Sequence, residues 1–186
     1  EALRVLEEKG LVEIRPGASG GAFVRHTTTD KLTENLNLLM QLDHVNFDHM
    51  AEFRETIEAQ ATRMAAERAT PTDIDRLRAI VTHATEVLRR DPNDWAGLCR
   101  ADINLHVALA EIAANPVFLA VIRMIHQTIL GDVDRFALRG KRHLAQNLTD
   151  MGTLVHAVAQ GDVDMAEELA REHVSTFNAH MKQRNS

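Results

Sequence analysis

The chain has 186 residues, 45% of them hydrophobic, a net charge of −6 and one cysteine, Cys99. That length carries one substantial domain, or one domain and a fragment of another, and the apolar content excludes general disorder. The negative balance excludes whole-chain attraction to nucleic acid or anionic membrane, leaving a local patch for such contacts, and the lone cysteine excludes an internal disulfide and suits a reducing cytosol.

No apolar run reaches the roughly 18 residues that span a bilayer, and no signal peptide opens the chain. The chain begins at Glu1, without an initiator Met and inside a helical pattern, so it reads as a piece of something longer. EALRVLEEKG places Leu3, Val5 and Leu6 on one helical stripe and ends at Gly10, a good C-cap. The period then changes. Leu11-Val12-Glu13-Ile14 and Ala22-Phe23-Val24-Arg25 are short β-type runs around the turn-rich PGASGG, which predicts a hairpin over 11–25. A helix followed by a glycine-rich hairpin is the back half of a winged helix-turn-helix, or else a helix and hairpin with no binding role.

From Thr27 onward the pattern is helical. His26 to Asp30 forms a linker and N-cap for a stripe of Leu32, Leu36, Leu39 and Met40. The next helix puts Met50, Phe53, Ile57, Ala61 and Met64 on one face. Thr70-Pro-Thr-Asp73 stops it and caps a fourth helix, which turns Ile74, Leu77, Ile80, Val81 and Leu88 inward. Asp91-Pro92-Asn93 breaks that helix before another from about Asp94 to Ala114. Asn115-Pro116 opens VFLAVIRMIHQTIL, whose all-round apolarity predicts a central position. Gly131 and Gly140 mark bends, and two final helices are split by Gly161-Asp162. The sum is an all-α antiparallel bundle of six or seven helices behind a two-stranded hairpin.

Two blocks carry a family resemblance. EALRVLEEKGLVEIRPGASGGAFV resembles the end of the DNA-binding domain of GntR-type bacterial transcription regulators, a recognition helix running into a wing. FRETIEAQATRMAAERAT, DINLHVALAEIAANPVF and the final helix pair joined at QGDVDMAEELAREH resemble the FCD effector-binding domain, the FadR-type C-terminal domain of that family. The resemblance implies a winged-helix remnant over residues 1–26, a helical effector domain over 29–183, and a bacterial cytoplasmic homodimer acting on operator DNA. The N-terminal end of a recognition helix usually reads the groove, and that part of the helix precedes this chain. Arg4, Arg15 and Gly17 are then the candidates for DNA contact, mostly at phosphate, their alternative being ordinary surface.

The chemistry-bearing pair is Asp102 and His106, four apart on an apolar helix and therefore about 40° apart around its axis. Such pairs are also common on exposed helix faces. Many FCD domains hold a divalent metal through one Asp and three His, and Asp102 and His106 match the D-x3-H part. His173, eleven residues after Asp162, matches the last His. The remaining His belongs 22 residues before it, where Met151 stands. A thioether is a soft ligand poorly suited to Zn²⁺, Ni²⁺ or Mn²⁺ among hard partners, and His156 lies about 140° further round the helix. Asp102, His106 and His173 thus form a two-His, one-carboxylate set, with weakened metal binding or with the metal lost and an organic effector bound directly.

Arg54 is the candidate for bidentate capture of an effector carboxylate, its alternative being a surface salt bridge to Glu58. Asn147, one turn before Met151, and Met151 itself are candidates to touch the same small organic acid. His44, His49, His83, His126, His143 and His180 show no ligand spacing and read as surface or interface. The resulting function is a ligand-responsive transcription regulator. The competing one is a metal-dependent enzyme using the two-His, one-carboxylate set, against which stand the lack of an obvious general base and of a cofactor loop.

Overall fold

In the computed structural model, residues 1–8, 11–17, 20–24, 30–42, 47–131 and 140–185 are described. The expected linker from His26, the Gly10 cap and the surface reading of His44 lie outside them. Helix α1 (Ala2–Glu8) leads into strands β1 (Val12–Arg15) and β2 (Gly21–Val24). The strands pair antiparallel, Val12 opposite Val24 and Arg15 opposite Gly21. Gly17, in the turn, has φ of 115°, a backbone region that a side chain strains. Seven helices follow: α2 (Asp30–Gln41), α3 (Phe47–Arg68), α4 (Pro71–Arg90), α5 (Trp95–Ile112), α6 (Pro116–Gly131), α7 (Lys141–Gln160) and α8 (Val163–Asn185). No strand lies outside the hairpin among the described residues.

Local chemistry sets the breaks. Thr70 caps α4 in a full capping box with Asp73, and Pro71 occupies the first turn, where its missing N–H costs nothing. Asp94 caps α5 by accepting from the Gly97 N–H at 2.7 Å. Beyond its C-cap, Ala114 takes a positive φ of 51°, and the Arg68 guanidinium donates to the Ala113 carbonyl, satisfying an acceptor that the helix end leaves open. Gly161, left-handed at φ 67°, ends α7 and lets α8 fold straight back.

The central helix is α5, not α6. Thirteen of its residues, from Trp95 to Ile112, are buried, and it packs against α3, α4, α6 and α7. The apolar wrap of α6 is only partly used, since Val117 is 69% exposed and Leu130 is exposed too. The face predicted for α3 is inward in part, with Met50 and Ala61 buried and Ile57 and Met64 packed against the core, but it is not the whole inward face. Phe53 is 46% exposed, whereas Ala51, Arg54, Glu58, Thr62 and Ala65 are buried. These recur at spacings of three and four, so α3 turns a polar stripe flanked by alanines toward α5 and α8. Small side chains let the helices approach, and the polar ones require partners inside the core.

Candidate metal and effector site

Those partners come from four helices. Glu58 of α3 is 1% exposed, and its Oε1 accepts a hydrogen bond from Arg54 Nε at 2.7 Å. The alternative of a surface salt bridge is therefore corrected: the pair is buried, because both residues lie on the inward stripe of α3. His106 Nδ1 lies 2.7 Å from Glu58 Oε2, a close ionic contact without good hydrogen-bond alignment. His126 Nε2 lies 3.4 Å from Glu58 Oε1.

On the other side of His106, its Nε2 is 3.8 Å from Asp102 Oδ2, as expected for residues four apart on α5. Asp102 Oδ1 lies 2.9 Å from His173 Nε2 on α8. Asp102, His106 and His173 are all buried, and their ligand-type atoms lie within 4.8 Å of one another. Glu58, His106 and His126 form a second such trio, joined to the first through His106. The His106 ring stacks on His126 at 5.0 Å between centroids and tilts against His173 at 5.3 Å.

The electrostatics follow from this packing. Burial pushes the Asp102 carboxyl up, but His173, His106 and His126 together outweigh it and hold the group at about 2. Glu58 meets the same penalty and is carried well below the usual carboxylate range by Arg54, His106 and His126. Burial lowers His106, yet the neighbouring Glu58 and Asp102 carboxylates raise it above the ordinary value. For His126 burial wins, and the ring is held neutral. Two carboxylates are thus ionised in a dry core beside imidazoles, a donor set matched to a divalent cation.

Asp102, His126, His173 and Arg54 line one small cavity of about 10 Å³, closed partly by Trp95 and Phe177. That is about the room one water needs, hence room for an ion but not for an organic acid. The guanidinium of Arg54 sits 5.3 Å above the Phe177 ring. Cys99 also lines the cavity, where burial and Asp102 push its thiol up to about 12, an unreactive state.

The other expected residues fall in varied places. Met151 is fully buried in α7 but is not among the described residues lining this cavity. Asn147, one turn earlier, is buried with its Oδ1 unpartnered among the described residues. His156 is exposed, as its angle on the helix predicts. In the hairpin, Arg15 bonds Glu13 through Nε and Nη2, both at 3.1 Å, and lies over Phe23. Arg4 is exposed on α1.

Two residues of the cluster escaped the sequence reading. His126 is corrected from surface or interface to 1% exposed. The signal was present: it shares an apolar stripe with Ile122, Ile125 and Ile129 at helical spacing. Glu58 was read only as a partner of Arg54, and no spacing rule links α3 to His106.

Comparison with known proteins agrees with this architecture. The FCD domain model matches residues 49–176. The chain is 30% identical over 184 residues to the HTH-type transcriptional repressor NanR of Salmonella schwarzengrund, covering 96% of this chain and 67% of that protein. Among solved structures it is similar in fold to Streptococcus agalactiae GntR, with a TM-score of 0.76 at 18% identity over 96% of this chain and 78% of the other. E. coli McbR/YncC gives 0.65 at 15% identity over 100% and 79%. The 30% identical relative is a transcriptional repressor rather than an enzyme, which sets aside the metal-dependent enzyme. The chain belongs to the GntR family of transcription regulators and carries an FCD effector-binding domain.

Proposed function

We propose that this regulator senses a small organic acid in its helical domain through a divalent ion, Zn²⁺, Ni²⁺ or Mn²⁺, held by Asp102, His106 and His173. The observation that carries the reading is their convergence, fully inside the bundle, with His106 Nε2 and His173 Nδ1 lacking hydrogen-bond partners among the described residues. A buried polar atom left unpaired is costly, and a bound ion is one recognised reason to keep it. The donors fit: one ionised carboxylate and imidazoles suit these cations. Glu58, facing Nδ1 of His106, would fix the ring with Nε2 toward Asp102. The bound ion would supply a positive centre for an effector carboxylate.

Arg54 stands at the cavity wall with Nε committed to Glu58, so its terminal nitrogens are the candidates to grip the acid. Asn147 and Met151 are proposed to shape the same region from α7. A 10 Å³ cavity admits no organic acid, so binding one requires the helices around it to part. An acid that binds only the parted form shifts the population toward it by its differential affinity and no more. Residues 1–26, with Arg4, Arg15 and Gly17, would belong to the DNA-binding domain and residues 29–183 to the effector domain. A two-fold homodimer in the bacterial cytoplasm would read two operator half-sites.

The test is operator binding by the full-length protein. Titrating small organic acids should change DNA affinity without consuming the acid, and a chelator should abolish that response. Operator affinity unaffected by any acid with the metal-loaded protein would count against the reading.

A further inference from the structure

The resemblance implies an imidazole at position 151, and this chain has Met151 there, buried and not among the described residues that line the cavity. A different histidine stands at the cavity instead. We infer that His126 of α6 supplies the imidazole that position 151 lacks, making Asp102, His106, His173 and His126 the protein ligands of a divalent ion in this core. The inference rests on the metal reading above.

Three observations carry it. His126 is 1% exposed and both its ring nitrogens lack a hydrogen-bond partner among the described residues. An imidazole buried this way gives up its hydration without a hydrogen bond in return, keeping only a 3.4 Å electrostatic contact with Glu58 and the stack on His106. It lines the same cavity as Asp102 and His173. Its ring stacks on His106, and a nitrogen of each lies within 4.8 Å of the other.

Reaching the ion requires the His126 ring to turn from Glu58 toward Asp102. That turn breaks no hydrogen bond, since Nε2 stands 3.4 Å from Glu58 without bonding it. Glu58 is left charged but not alone, because Arg54 holds its Oε1 at 2.7 Å. The same guanidinium argues against Glu58 as a ligand, for a divalent ion on that carboxylate would sit beside a fixed positive charge. An imidazole also matches the hardness of the other donors as a thioether does not.

X-ray absorption spectroscopy on the zinc-loaded, unmodified protein counts imidazoles directly, and three per zinc are expected. Calorimetry with Zn²⁺ on chelator-stripped protein should show His126→Gln weakening binding by at least about the 10- to 100-fold that loss of an outer-shell partner costs. His173→Ala should abolish it. Two imidazoles per zinc, or unchanged affinity in His126→Gln while His173→Ala loses the metal, overturns the role of His126 and leaves the three-residue site standing. No zinc bound by the unmodified protein overturns both.

Discussion

Removing Glu58 should be among the most damaging single changes in this protein. Glu58 and Arg54 have side chains only 1% and 5% exposed, and Arg54 Nε donates to Glu58 at 2.7 Å. Glu58→Ala leaves the guanidinium buried without its counter-charge, which typically costs about 3–5 kcal/mol. For a chain of this size each kcal/mol moves Tm by about 2–4 °C, so a loss of roughly 6–20 °C is expected. The paired change Glu58→Leu with Arg54→Met removes both charges and fills much of the volume. It should be near neutral or stabilising, because the desolvation of two ions is avoided. Thermal unfolding by circular dichroism at one fixed protein concentration separates the cases. A Glu58→Ala cost below about 1 kcal/mol, or a double variant as damaged as the single one, would refute the claim that this pair is a desolvated charge locked in the core.

Further outcomes are expected elsewhere. Thr70→Ala should cost about 1 kcal/mol in denaturant unfolding, since it removes both the acceptor for the Asp73 N–H and the base of the capping box; a cost indistinguishable from zero would mean that α4 does not depend on its cap. Metal-free protein should lose stability in acid. Asp102 is held at about 2 in the fold against about 3.9 when unfolded, so its contribution of about 2–3 kcal/mol is present above pH 4 and lost as pH falls through 2. Glu58 acts in the same direction, and His126, lowered by burial, adds a loss below its ordinary value near 6.5. His106, raised in the fold, opposes His126 and loses its contribution as pH rises. A melting temperature flat from pH 6 to 2 would contradict these signs. Arg15→Ala in the full-length regulator should weaken DNA binding about equally for all sequences and reduce the salt slope by about 1, as loss of a phosphate contact does.

Periodicity located the seven helices and the hairpin because their signals are local: Thr70-Pro71, Asn115-Pro116 and Gly161 each act within one turn of chain. The Asp102–His106 pair was legible for the same reason, since four-residue spacing is geometry that one helix imposes. His173 was legible only through family resemblance, because nothing in sequence measures the distance from α5 to α8. Apolarity misjudged α6, which is rich in large aliphatic residues yet leaves Val117 exposed, while α5 is buried with alanines and carries Asp102 inward. On α3 it placed Met50 and Ala61 correctly but missed that Phe53 faces out while Arg54 and Glu58 face in. A hydrophobic scale counts transfer of single side chains and takes no account of charges that satisfy one another across helices. Glu58, which touches Arg54, His106 and His126 together, is the residue that such a scale is least able to find.

The most direct test of the core site is anomalous diffraction from crystals of the protein grown with Zn²⁺, recorded above and below the zinc edge. The account predicts one peak inside the bundle, bounded by Asp102, by Nε2 of His106 and by His173. A well-ordered core with no peak there, or zinc found only on surface histidines such as His143 and His180, would contradict it.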